Sequence, residues 1–243
     1  MENELRHIIG EIRASGALIA RTERYVISEI GKRNRSRPRA RLRLAAVSSA
    51  LLLLITLSGI SSYLFFTPAA YVDMDVNPSI GLTLNHFGRI IDTHSYNGDG
   101  AAVLNGVNVR FKTYGVAVEI LLDAIISNGY LSEDGLVSVT VQSDDDAGNA
   151  LITQLERVVS VSLQKHHANA RADIFPVTDD VRTDAQARLV SPAMYIAISE
   201  LQGVDPTATF ESCAGHSITQ IRARTRAHHG GGRHGGRGNG RHQ

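Results

Sequence analysis

The segment Asp75-Val76-Asn77-Pro78-Ser79-Ile80 carries the most reactive backbone chemistry in this 243-residue chain. An asparagine ordinarily ages when the next residue's backbone nitrogen attacks its side chain. Proline's nitrogen is already trisubstituted, so before Pro78 that route is shut. What stays open to Asn77 is attack by its side-chain amide on its own backbone carbonyl, which expels Pro78 as a secondary amine and cuts the chain. Pro78 also holds Asn77 extended and weakens the trans preference of the bond between them. A tight turn that strains this bond lowers the barrier further. Ser79 offers a hydroxyl that could assist, but it follows Pro78, so Asn77 is the better nucleophile. The plainer reading of the same residues is a turn in which Pro78 ends a strand.

Other reactive groups are less organised. Asp73 and Asp75 fall on one face of a strand, because side chains alternate. They could act as paired carboxylates, although solubility at a strand edge accounts for them more simply. His166, His167, His228, His229, His234 and His242 have no fixed spacing with carboxylates and no partner cysteines, so no metal site and no cofactor are expected. Cys213 is the single cysteine, which excludes an intramolecular disulfide. Neither a phosphate-cradling glycine loop nor a nucleophile elbow is present, so no turnover enzyme is expected.

The elements that position the Asn-Pro segment begin with an apolar run. Leu44 to Phe66 contains no charged residue. At ~1.5 Å per helical residue it spans a ~30 Å hydrocarbon core. Lys32, Arg33, Arg35, Arg37, Arg39, Arg41 and Arg43 precede it, and Thr67 to Val72 has no basic residue. Basic flanks stay cytoplasmic, so the N-terminus is expected inside the cell membrane and the C-terminal domain outside. A cleavable signal peptide has a shorter apolar core and a shorter leader, so a retained anchor is preferred.

Charge follows the same division. Residues 1–43 carry +6, residues 67–213 carry −11 and residues 214–243 carry +6. The arginine cluster beside the span fits anionic membrane lipid better than nucleic acid. The expected domains are a short cytoplasmic segment (1–43), a transmembrane helix (44–66), an extracytoplasmic domain (67–213) and a disordered Gly/Arg/His tail (214–243). That tail suits an anionic cell-wall polymer or the protein's own acidic domain. Tryptophan is absent and aromatics make up 5%, which argues against a sugar-binding platform.

Residues 1–31 read as an amphipathic helix broken at Gly16, then a second helix or a short hairpin at Ala17 to Ile30. The outer segment reads as α+β. Strands are expected at Tyr71 to Val76, Ile80 to Leu84, Arg89 to Ser95, Leu136 to Val141 and Ala172 to Val177. Asn97-Gly98-Asp99-Gly100 signals a loop, and Ala101 to Leu104 a single helical turn. Helices follow at Val116 to Ser127, with Val116, Ile120 and Ile126 near one face, and at Ala147 to His166, led by Asp144-Asp145-Asp146. Thr178 and Ser191 cap two more, ending near Leu189 and Gly203.

The run from Tyr71 to Ile80, with Asn85-His86-Phe87-Gly88-Arg89-Ile90-Ile91, resembles the start of the outer domain of RsgI-type anti-sigma factors. Asn97-Gly98-Asp99-Gly100, Gly129-Tyr130-Leu131, Ser191-Pro192-Ala193-Met194-Tyr195 and Leu201-Gln202 are similar to its later landmarks. The resemblance covers roughly residues 43–205. It implies a single-pass regulator that holds a sigma factor at the inner membrane face. It also implies a chain cut between Asn77 and Pro78, halves retained as neighbouring strands, and release of the sigma factor by an intramembrane site-2 protease. Residues 1–43 depart from the family's strand-rich sigma-binding module, and no sugar-binding module is apparent. The rival expectation is an anchored envelope protein whose outer domain binds a surface polymer.

Overall fold

In the computed structural model, residues 14–143, 147–213 and 215–230 are described. The chain divides into two units, Met1–Ser61 and Ser62–Gln243. In the first, Ala17 to Ile30 takes the helical one of its two expected forms, in a helix that begins at Gly16. This helix, α1 (Gly16–Phe66), runs without interruption into the second unit. Leucine and arginine are its commonest residues and favour helix over the strand tendency of Tyr25-Val26-Ile27. Its Leu42–Phe66 stretch is the one segment among the described residues long and apolar enough to cross a membrane. The helix expected within residues 1–13 lies outside the described residues.

The second unit is α+β, as expected. Its five strands are β1 (Pro68–Asp75), β2 (Ser79–Asn85), β3 (Ile90–Ser95), β4 (Leu136–Ser143) and β5 (Arg171–Pro176), in the order β3-β2-β1-β4-β5. β1 pairs antiparallel with both β2 and β4, β2 with β3 likewise, and β4 runs parallel to β5. The strand that leaves α1 is therefore the central one.

The helices are α2 (Gly98–Gly106), α3 (Tyr114–Ser127), α4 (Ala147–Lys165), α5 (Asp179–Ala187), α6 (Pro192–Val204), α7 (Phe210–Cys213) and α8 (Ile218–Gly230). Alternation along the strands gives the sheet two unlike faces. Val72, Met74, Ile80, Leu82, Val137, Val139 and Val141 point to one side and form a core with α3 and α4. Burying each such side chain stabilises the fold by about 1.5–3 kcal/mol. α3 contributes Ala117, Val118, Leu121, Leu122 and Ile125, all buried. Of the three residues expected near one face, Ile120 and Ile126 pack against this core while Val116 is 45% exposed. Apolar residues ring nearly the whole of α3, so periodicity alone could not select its inner face.

The opposite face carries Asp73, Asp75, Ser79, Ser138, Thr140 and Gln142, all buried. A second apolar cluster lies on that side, built from Ala193, Ala197, Ile198 and Leu201 of α6 with Cys213, Ile218 and Ile221. Ile218 and Ile221 belong to a stretch that composition assigns to the Arg/His tail. One helical turn apart, they bury together, and Arg224 Nη2 donates to Asp205 Oδ2 at 3.2 Å. Helical structure thus continues to Gly230, and the rest of the expected tail lies outside the described residues, as do Asp144, Asp145 and Asp146.

Candidate functional site

The Asn-Pro segment forms the tip of the β1–β2 hairpin. Asp75 and Ser79 are the closing cross-strand pair, leaving Val76, Asn77 and Pro78 in the loop. Val76 N donates to Pro78 O at 2.9 Å and closes the turn. Val76 anchors in the apolar core, Pro78 is buried and Asn77 is half-buried. Asn77 has φ +113°, a conformation L-residues rarely adopt and not the extended one expected before Pro78. Such a backbone costs on the order of 1–3 kcal/mol and persists only where its surroundings enforce it.

Asn97 is the chief enforcer. Its Oδ1 accepts from Gly100 N at 2.8 Å as the N-cap of α2, and from Ser79 N at 3.2 Å. Its Nδ2 donates to Asn77 Oδ1 at 3.2 Å. Tyr96 N donates to Ser79 O at 3.0 Å. The Asn77 side chain and the Ser79 peptide are thus held from one short segment. Gly100 permits this approach, because a Cβ there would collide with the Ser79 carbonyl. The Asn97-Gly98-Asp99-Gly100 stretch, expected as a loop, is in fact the cap and first turn of a helix.

Beneath the turn lie two carboxyls on β1. Asp75 Oδ1 accepts from Ser191 Oγ at 2.6 Å and from Ser79 Oγ. Asp73 Oδ1 accepts from Tyr96 OH at 2.7 Å. Burial pushes Asp73 up to about 7 and Asp75 up to about 6; the Tyr96 hydroxyl opposes the rise at Asp73, and Ser191 and Ser79 oppose it at Asp75. Burial, and after it Asp73, raises the Tyr96 hydroxyl in turn. The Arg182 guanidinium lies 3.4 Å from the Tyr71 ring centroid and favours ionised Asp73. Asp73 Oδ2, Asp75 Oδ2, Ser138 Oγ and Thr140 Oγ1 have no partner among the described residues. Asp73 sits opposite Thr140 and Asp75 opposite Ser138. A protonated carboxyl can donate to such a hydroxyl, so this floor suits neutral acids.

These carboxyls correct an expectation. They are not at a strand edge, because β4 covers the far side of β1. Gly81, opposite Asp73 on β2, makes room for one of them: a Cβ there would stand 2.7 Å from Asp73 Oδ1 and 3.3 Å from the Tyr96 ring. A cavity of about 150 Å³ adjoins the turn, lined by Asn77, Ser79, Tyr96, Asn97 and Ser191 among others. It offers room for a few waters.

The profile described as "Anti-sigma factor RsgI-like central domain" matches residues 69–200, more than half of the chain, from β1 into α6. The chain belongs to this family. Among relatives of this RsgI-like protein, anti-sigma-I factor RsgI7 of Acetivibrio thermocellus is 25% identical over 186 residues, covering 75% of this chain and 34% of the relative. RsgI6 of the same organism is 32% identical over 81 residues, covering 32% of this chain and 11% of the relative. RsgI9, also from that organism, is 38% identical over 65 residues, covering 27% and 9%. The chain therefore spans about a third or less of the length of these relatives.

Within the RsgI-like domain, Asn77, Pro78 and Ser79 occupy one turn, and the Ser79 hydroxyl is turned to Asp75. Sequence alone does not single out Tyr96, Asn97 or Gly81 as site residues; only the Asn-Gly-Asp-Gly composition points to the neighbourhood of Asn97. Ser191 was legible as a helix cap, a role it fulfils by accepting from Met194 N at 3.3 Å. Its contact with Asp75 was not legible. Outside the turn, His166 Nε2 lies within hydrogen-bond distance of Asp123 Oδ1, at 2.7 Å.

Proposed function

We propose that the chain is a single-pass membrane anti-sigma factor, with its N-terminus cytoplasmic and its RsgI-like domain outside. It holds a sigma factor at the inner face of the membrane, and its outer domain cuts itself between Asn77 and Pro78. The observation that carries this reading is the Asn77 turn. The backbone of Asn77, the residue before Pro78, is held at φ +113° and its side chain is clamped by Asn97, at the tip of the hairpin that joins β1 to the rest of the domain.

The reaction balances within the chain. Asn77 Nδ2 attacks the Asn77 carbonyl carbon and the bond to Pro78 N breaks. The amide gives up a proton, the proline nitrogen gains one, and the first fragment ends in a succinimide. No cofactor is consumed. Asn97 Nδ2, by holding Asn77 Oδ1, fixes the side-chain torsion and contributes the entropy of alignment.

After such a cut β1 stays on the membrane fragment and β2 onward on the other. From Ala70 to Asp75, β1 is paired on both flanks. Separation must strip both ladders, at a cost of the same order as unfolding a domain, ~5–15 kcal/mol. Force or ligand binding, for instance by a cell-wall polymer, would supply it. An intramembrane site-2 protease would then free the sigma factor. On the inner segment Leu18, Ile19, Val26 and Ile27 are 46–69% exposed, an apolar surface suited to a protein partner.

Denaturing electrophoresis of the purified full chain tests the cut. Two fragments are expected, the second beginning at Pro78, and Asn77→Ala should give one band. A single uncut band from the unaltered protein overturns self-cleavage. Capture of a sigma factor by the detergent-solubilised chain tests the other half, and its failure would favour the anchored envelope protein.

A further inference from the structure

The point where the apolar helix ends is itself a built surface. Phe65, in the last turn of α1, is ringed by Phe87 of the β2–β3 turn (centroids 6.4 Å apart) and Phe111 of the α2–α3 loop (5.8 Å). Asn85 Nδ2 donates to Phe65 O at 2.8 Å. The two loops are zipped to each other: Phe111 N donates to Ile90 O at 2.7 Å, Arg89 Nη1 to Phe111 O at 2.8 Å and Tyr114 N to Gly88 O at 2.9 Å. This zipper holds Phe111 at φ +62°, unfavourable for a bulky side chain, yet leaves it 43% exposed, with Phe87 53% and Phe66 61% exposed. Arg89, Arg110 and Lys112 surround the rings and are exposed, with the Arg110 guanidinium 5.3 Å from the Phe111 centroid. Neither loop, 85–90 or 108–114, contains an acid, in a domain whose residues 67–213 carry −11.

We infer that the Phe87 and Phe111 loops form a membrane-seating patch, which sets the outer domain against the lipid headgroup layer. The occupant is the bilayer surface because the patch is built on the residue where the apolar span ends, leaving it within a few ångströms of the headgroups. Rings at that depth bury apolar area in the acyl boundary while the flanking cations meet anionic lipid phosphates. An acidic domain is otherwise repelled by an anionic surface, so the three cations select the side that faces it. The inference rests on the reading of Leu42–Phe66 as a span. Its consequence is that β1 enters the sheet from a fixed base: a pull on the outer domain must first unseat these loops before it loads the β1 ladders.

The chain has no tryptophan, so single-tryptophan reporters are unambiguous. The full chain carrying Phe87→Trp or Phe111→Trp is reconstituted into phosphatidylcholine vesicles with and without phosphatidylglycerol. Blue-shifted emission is expected at both positions. Lipids brominated on the acyl carbons nearest the headgroup should quench it, as for a ring seated at the headgroup/acyl boundary. Leu189→Trp, at an 82% exposed site outside the patch, should stay solvent-like and unquenched. Adding Arg110→Glu and Lys112→Glu should reduce the quenching in the anionic vesicles more than in the neutral ones. Solvent-like, unquenched emission at positions 87 and 111 in a chain that resists alkaline carbonate extraction overturns the patch and leaves the span intact. Extraction by carbonate overturns the span, and the patch with it.

Discussion

Ser191 Oγ donates to Asp75 Oδ1 at 2.6 Å, tying the N-cap of α6 to the last residue of β1 across 116 positions of sequence. If the chain is cut after Asn77, this bond and the Ser79–Asp75 bond become contacts between separate fragments. In the proposed release they would latch the tip of β1 to the fragment that departs. A lost hydrogen bond to a buried carboxylate costs about 1–3 kcal/mol. Ser191→Ala should therefore lower the urea concentration at which the fragments part, with the extent of cutting unchanged. Size-exclusion chromatography in a urea series reads both. An unmoved separation midpoint would count against the latch.

Asn97 performs two tasks, and they can be separated. Asn97→Asp keeps an oxygen to cap α2 but loses the Nδ2 donor to Asn77 Oδ1. It should slow cutting several-fold while the domain stays nearly as stable. Asn97→Ala loses both, and removal of the cap costs a further ~1 kcal/mol. Cleavage half-times and thermal melts of the two variants give the comparison. Equal cleavage rates in Asn97→Asp and the unaltered chain would remove the clamp from the mechanism.

Asp73 and Asp75 give the stability a pH dependence of definite sign. Burial raises them to about 7 and about 6 from the ordinary 3.8, so the folded state holds protons the unfolded chain has released. Their contribution is fully present below the unfolded value and is lost as pH rises through about 6 and then 7. From about pH 4 up to its own folded value, about 6 for Asp75 and about 7 for Asp73, each carboxyl weakens the fold by up to ~1.4 kcal/mol per pH unit traversed. Urea midpoints should fall from pH 5 to pH 8, and Asp73→Asn should flatten the upper part of that decline. A profile that rises over this range excludes neutral carboxyls in the folded state.

Gly81→Ala should be costly for a strand residue. Its Cβ would stand 2.7 Å from Asp73 Oδ1, forcing the carboxyl or the strand to move. Overpacking of this kind costs about 1–3 kcal/mol. The double variant Gly81→Ala, Asp73→Ala removes the collision, so its loss should be smaller than the sum of the single losses. Additive losses in thermal unfolding would refute the collision.

Much of this protein is written locally. The absence of charge from Leu44 to Phe66 identifies the candidate span, because hydrocarbon excludes charge whatever the fold. Alternation marks β1 to β5 to within a few residues, and Thr178 and Ser191 announce their helices, because capping involves only neighbours within one turn. The reactivity of Asn77 before Pro78 is covalent chemistry and needs no tertiary context to be proposed. What local pattern could not decide is the company these residues keep. Only the pairing of β4 beside β1 makes β1 central, and with it turns Asp73 and Asp75 from edge charges into buried acids. Asn97 reaches Asn77 over 20 positions and Ser191 reaches Asp75 over 116, distances at which sequence carries no register. Ile218 and Ile221 order a helix within an arginine- and histidine-rich stretch because α6 offers them an apolar seat. Composition counts residues, whereas burial depends on which other surface arrives.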